Sequence, residues 1–181
     1  MTPADRAGTM ALFPPLDASP EDVRTLLAPL RNDFSIALYA AENPFAIGAI
    51  IRVAHSFLAR EIVIVGDASF YEKASMGMEK YESVVRVRDD DALYAHVGSR
   101  PLWGVEKDHA TTSLYTPSAI PKDVVLLFGS ERAGLPNSVI ARCEGILGIP
   151  IYGVNHSLPL AIAAGIVMSE MARRRSEGAV R

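Results

Sequence analysis

Six short apolar runs, at 35–39, 62–65, 84–87, 102–105, 124–128 and 146–149, alternate along the chain with segments of helical periodicity at 47–58, 90–97, 137–142 and 158–175. Strands that alternate with helices are joined by crossovers, and crossovers build a parallel sheet covered on both faces. The expected fold is therefore α/β, with a mostly parallel sheet and helices on both sides. At 181 residues with 49% hydrophobic content, the chain has the size and apolar content of one ordinary domain. Residues 1–33 differ from the rest, with five of the twelve prolines and only one short periodic stretch, 21–30. They are expected to form a mobile N-terminal arm, with the folded domain over 34–181.

Several classes of function lose their support on composition and motif. The formal net charge of -3 supplies no global basic field, so any contact with RNA has to come from local clusters. Arg24, Arg31, Arg132 and the tail Arg173, Arg174 and Arg175 are the candidate basic spots. The tail has a second reading, since cations at a helix C-terminus complement the macrodipole. The single Cys143 excludes an intramolecular disulfide and reads as a structural thiol. His55, His96, His109 and His156 lack ligand spacing, so no metal is expected. No G-x-G-x-x-G follows the first strand, and no P-loop lysine motif occurs. No segment joins a basic region to an apolar stretch long enough for export or insertion, so no membrane association is expected and the cytoplasm is the expected location.

Ligands of an open parallel sheet bind outside the carboxyl ends of its strands. Three loops lie there. The first, 43–52, enters a helix carrying Arg52 among Ala49, Ile50, Ile51, Val53 and Ala54. Arg52 either snorkels to solvent or serves as a fixed cation for a phosphate or carboxylate. The second, 128–136, holds two glycines that permit tight geometry and close backbone approach to a bound molecule. Glu131 between them is either a solvated turn residue or a carboxylate that orients Arg52. The third, 149–159, links a short apolar strand to a helix whose Leu160, Ala161, Ala164, Gly165 and Met168 form a small-residue seam, suited to a subunit interface or to burial on the chain's own sheet.

In this order and spacing, Ile47-Gly48-Ala49-Ile50-Ile51-Arg52, Phe128-Gly129-Ser130-Glu131-Arg132-Ala133-Gly134-Leu135, and Ile149-Pro150-Ile151 with Ser157-Leu158 resemble the three motifs of the SPOUT-class RNA methyltransferases, specifically the TrmH-like ribose 2′-O-methyltransferases. The resemblance covers roughly residues 35–175. It implies a C-terminal deep trefoil knot, a rare exception to unknotted topology. It also implies a homodimer, S-adenosylmethionine bound within the knot, and tRNA or rRNA as partner. Carried over residue by residue, it places Val105, Gly129, Ile149 and Leu158 on the cofactor, with Arg52, Glu131 and Ser157 as the catalytic group. Arg52 is expected to face the phosphate and the nucleophilic oxygen from one subunit, with Glu131 orienting it and Ser157 completing the polar wall.

Two positions depart from the family's pattern, which has asparagine where this chain has Ala46 and Pro159. Asn43 and Asn155 are the nearby amides that could substitute. The leading expectation is a 2′-O-methyltransferase of structured RNA. The rival is a non-catalytic knotted RNA-binding or assembly protein that retains the cofactor pocket, and a metabolite-binding doubly wound domain is the third reading.

Overall fold

The computed structural model describes residues 17–116 and 120–178. Seven strands, β1 (Ser35–Tyr39), β2 (Ile62–Val65), β3 (Val84–Val87), β4 (Leu102–Val105), β5 (Thr112–Ser113), β6 (Val125–Phe128) and β7 (Gly145–Gly148), form one sheet in the order β3-β2-β1-β6-β4-β7-β5. Every pairing is parallel, as the alternation of strand and helix required. The helices are α1 (Pro20–Leu27), α2 (Pro44–Ser56), α3 (Glu72–Ser75), α4 (Asp90–Val97), α5 (Asn137–Ile140) and α6 (Leu160–Gly178).

The two-residue period of a strand divides the core into two layers. Ile36, Leu38, Ile62, Ile64, Leu126 and Phe128 point to one face and pack with Ile47, Ile50 and Ile51 of α2 and with Val167, Met168 and Met171 of α6. Ala37, Val63, Val65, Val125 and Leu127 point to the other, under Leu93 and Val97 of α4 and Val139 of α5. In the seam of α6, Leu160, Ala164 and Met168 are buried in the chain's own core, Ala161 and Gly165 are half-buried, and the neighbouring Ile162 faces outward at 53% exposure.

Local chemistry shifts several boundaries. The helix expected from residue 47 begins at Pro44, because the Asn43 side chain caps it by accepting from the amides of Phe45 and Ala46 at 3.0 and 3.4 Å. Proline at the first helical position costs no hydrogen bond. At the other end of the chain, the helix expected from 158 starts at Leu160, with the Pro159 carbonyl accepting from Ile162 and Ala163 at 2.9 and 3.0 Å.

Of the expected arm, residues 1–16 lie outside the described residues. Its later part is folded. Ser19 and Asp22 form a reciprocal capping box at the start of α1, whose Val23 and Leu27 are buried. Arg31 reaches Glu82 at 2.6 Å and the Ala59 carbonyl at 2.7 Å, while the Asn32 amide donates to Leu58 at 2.8 Å. Arg31, Asn32 and Asp33, at the end of the expected arm, are thus joined by side-chain or backbone bonds to residues of the folded part.

The amino ends of the strands are closed by ion pairs. Glu61, just before β2, accepts from Arg100 at 2.6 Å and meets His96 at 3.1 Å. Burial pushes its carboxyl up, but Arg100 and His96 outweigh burial and hold it below the ordinary value. Glu82 plays the same part before β3, with Arg31 and with His55 at 2.9 Å. The basic tail is structural as well. Arg174 donates to the carbonyls of Leu114 and Thr116, Arg175 to Asp33 and the Pro121 carbonyl, and Arg173 to Glu170. These staples occupy groups the sequence had offered to RNA.

Candidate functional site

The topological switch of this sheet lies between β1 and β6, where strand order reverses, and ligands of doubly wound sheets ordinarily enter there. Here that crevice is bridged by the chain itself. The loop after β6 leans over it: Glu131 accepts from the Glu42 amide at 3.3 Å, and Arg132 lies 3.6 Å from the Glu42 carboxylate. Glu131 thus meets Glu42, not Arg52. The open cleft is displaced one strand over, beyond the carboxyl ends of β6, β4 and β7.

Its floor is a turn that only glycine can make. A Cβ on Gly129 would lie 2.1 Å from the carbonyl carbon of Gly134, so the chain doubles back at van der Waals contact. Gly134 has φ +64°, and its amide closes the turn on the Ser130 carbonyl at 3.0 Å. A Cβ there would meet the Glu106 carboxylate at 2.6 Å. Glu106, at the end of β4, braces the turn by accepting from the Leu135 amide at 3.4 Å and caps its own loop by accepting from Lys107 at 3.0 Å. The far wall is the segment after β7, strapped down where the Lys107 ammonium donates to the His156 carbonyl at 3.0 Å.

Six of the seven expected site residues line this one cleft: Val105, Gly129, Ile149 and Leu158, together with Glu131 and Ser157. Its volume, about 370 Å³, lies within the range of small-molecule sites, about 300–1,000 Å³. Arg52 is apart from them. It is exposed on α2, not among the cleft-lining residues, and its guanidinium has no ion pair or hydrogen bond among the described residues.

Glu106, Lys107 and Glu42 are the participants that sequence reading missed. Glu106 left one trace, a carboxylate directly after an apolar strand. Lys107 and Glu42 left none, because their partners lie 49 and 89 residues away. The four histidines and the carboxylates form no metal-holding group among the described residues. Burial pushes the Cys143 thiol up to about 11, which suits an inert structural cysteine. No helix in the described residues is long and apolar enough to cross a membrane.

Comparison with known proteins places this geometry in a family. Residues 33–169 match the family model of the SpoU rRNA Methylase family. An uncharacterized tRNA/rRNA methyltransferase of Mycolicibacterium vanbaalenii is 32% identical, over 93% of this chain and 56% of its own length. The 23S rRNA (guanosine-2′-O-)-methyltransferase RlmB of Coxiella burnetii is 26% identical, over 77% of this chain and 58% of its own. Among solved structures, the AdoMet-bound rRNA methyltransferase of Sinorhizobium meliloti superimposes with a TM-score of 0.72 at 28% identity, covering 82% of this chain and 60% of that one. The chain thus spans 56 to 60% of the length of these relatives. By the matched span and by the loops that converge on its cleft, this chain belongs to the SpoU rRNA methylase family, TrmH-like members of the SPOUT class.

Proposed function

We propose that the chain is an S-adenosylmethionine-dependent methyltransferase acting on a ribose 2′-hydroxyl of tRNA or rRNA, working as a homodimer. One observation carries the reading: Val105, Gly129, Ile149 and Leu158, from three separate loops, converge on one cleft, where they are small or apolar positions among polar neighbours such as Glu106, Ser130, Glu131 and Ser157. That mixture suits a nucleoside-bearing cofactor, with apolar contacts for its base and polar groups for its ribose and amino-acid end. Gly129 and Gly134 leave no room for a Cβ, which keeps the turn's backbone bare. The relative from Sinorhizobium meliloti, solved with AdoMet, supports the cofactor, and the name of RlmB supports the ribose oxygen.

The strand order favours a knotted cleft. β4 and β5 are consecutive in the chain, yet β7 lies between them, and the return from β5 leads to β6 on the far side of β4. A chain threaded through its own 106–124 segment has this order. Leu114 and Ile120 of that segment are buried in the same core cluster as Leu160 of α6.

When bound, the cofactor supplies a methyl group already activated on a sulfonium. The protein then has to align the 2′-oxygen and assist loss of its proton. Arg52 is a permanent cation, with pKa above about 12, suited to fixing the adjacent phosphate and stabilising the developing oxyanion. Arg52 lies outside its own chain's cleft, so in this reading a second copy presents it, in a homodimer paired through α2 and the outward face of α6 around Ile162. Glu131 would then exchange its Glu42 contact for the incoming guanidinium, and Ser157 would complete the polar wall.

A second reading has its own observation. Asn43, the amide nearest Ala46, has its side-chain oxygen committed as a helix cap, and Pro159 has no side-chain amide to offer. A non-catalytic RNA-binding protein that keeps the pocket fits this loss. Transfer of labelled methyl from S-adenosylmethionine to total RNA, followed by nucleoside mass spectrometry, separates the two. A 2′-O-methylated nucleoside is the expected product. Cofactor binding without transfer to any RNA would favour the rival, and absence of binding would remove both.

A further inference from the structure

Phe45 and Tyr71 form a tilted aromatic pair on the surface, ring centroids 4.4 Å apart and planes 44° apart, with Phe45 61% exposed and Tyr71 38% exposed. Neither ring belongs to the core, and the two segments that carry them are tied together through their backbones. The Tyr71 amide donates to the Pro44 carbonyl at 2.9 Å. Gly48 lets the two segments touch, since a Cβ there would lie 2.6 Å from the Tyr71 carbonyl oxygen. Asn43 caps the helix turn that carries Phe45. Three local devices thus hold two adjoining aromatic rings toward solvent, with the Phe45 ring the more exposed.

What the ledge adjoins indicates its use. Phe45 and Arg52 are seven residues apart on α2, which puts them on the same helix face about 10 Å apart along the axis. Both are exposed, and the Arg52 guanidinium has no partner among the described residues. An exposed aromatic ring one short helical span from an uncommitted cation suits single-stranded nucleic acid, with the base on the ring and the phosphate on the cation.

We infer that the Phe45–Tyr71 ledge stacks a nucleobase of the RNA whose backbone Arg52 holds, so that the first turn of α2 positions the strand for the cleft. The inference rests on the proposed role of Arg52 and adds to it a base-stacking contact that tolerates any sequence. The alternative occupant, a second copy of the chain covering the ledge, is decided by the test.

Phe45→Trp supplies a reporter, since the chain's one native tryptophan, Trp103, has its indole nitrogen buried. Titration with a short oligouridylate is expected to quench the new emission saturably, with quenching that outlasts added salt better than phosphate contacts do. The native protein provides the Trp103 background. Phe45→Ala is expected to weaken oligouridylate binding on the order of 10-fold, with Phe45→Tyr near native affinity and S-adenosylmethionine affinity unchanged in both. Absence of quenching, or equal affinity of the alanine variant, overturns the ledge. So does a Phe45→Trp emission that changes with protein concentration alone while Phe45→Ala lowers the mass by light scattering, because the face is then a subunit interface. Quenching retained in a protein that transfers no methyl supports the ledge and counts against the methyltransferase reading alone.

Discussion

The carboxylate of Glu131 accepts from the backbone amide of Glu42 at 3.3 Å, so the acid expected to orient Arg52 instead bridges the loops after β1 and β6. The contact is exposed and already charge-assisted through its ionised acceptor, while its donor is neutral. In the proposed homodimer, an incoming guanidinium would set a full positive charge against the same carboxylate and compete for it.

Arg52→Ala is expected to leave S-adenosylmethionine affinity nearly unchanged, because Arg52 does not line its own cleft. RNA methylation should fall roughly 100-fold or more, as removal of a charge-stabilising group at a reacting oxygen does. Isothermal titration and single-turnover methyl transfer read the two quantities separately. Equal losses in both would make Arg52 a cofactor or structural residue. A monomer by light scattering at micromolar concentration would remove the shared site.

Gly129→Ala is expected to damage the cleft itself. The new Cβ would stand 2.1 Å from the Gly134 carbonyl carbon, a backbone atom that cannot swing aside as a side-chain tip would. Overpacking of this kind costs about 1–3 kcal/mol, and the distorted turn should weaken cofactor binding on the order of 10-fold or more. Gly153→Ala is the matched control, since a Cβ there meets nothing within 4 Å. Cofactor affinity that falls equally in both variants would show that the turn's closure is not the cause.

Glu170 carries a pH dependence. Hydrogen bonds from Arg173 pull its carboxyl down to about 2, with burial opposing and Arg174 assisting. A depressed folded pKa means that the unfolded chain takes up the proton first as pH falls. The stabilisation is therefore complete above about pH 4.5 and disappears as pH drops from there toward 2. Glu170→Gln should be less stable than the native chain at neutral pH, with the gap narrowing on acidification below about pH 4.5. Denaturant unfolding of both proteins across that interval measures it, and a gap of constant size would refute the assignment.

How much of this was legible in the sequence depends on the range of the interaction. Ile62–Val65 and Val125–Phe128 were plain because strands covered on both faces read as unbroken apolar runs. Thr112–Ser113 was not, since two polar residues carry no period. Gly129 and Gly134 marked a special turn, yet only coordinates show that each is pressed against one specific neighbour. The partners of the basic tail were hidden for the same reason. Arg175 finds Asp33 across 142 residues, and no local pattern announces such a pair.

The last prediction concerns Ala46 and Pro159, where the family's pattern has asparagine. Ala46 lies in the first turn of α2, one residue after Phe45, and Pro159 lies immediately before α6, beside the cleft-lining Leu158. Neither position braces the glycine turn or the Lys107 strap, so side chains there should disturb the cofactor cleft little. Native protein is expected to bind S-adenosylmethionine and to transfer methyl to a restricted set of RNAs, because Arg52, Glu131 and Ser157 are all present. Ala46→Asn combined with Pro159→Asn restores two groups that both donate and accept hydrogen bonds. Its cofactor affinity should match the native value, and its transfer rate should rise on RNAs that the native protein already modifies. Isothermal titration beside labelled-methyl transfer gives both numbers. Transfer seen only in the double variant would mean that the native chain binds RNA and cofactor without turnover, and loss of cofactor affinity in that variant would mean that the two positions shape the cleft after all.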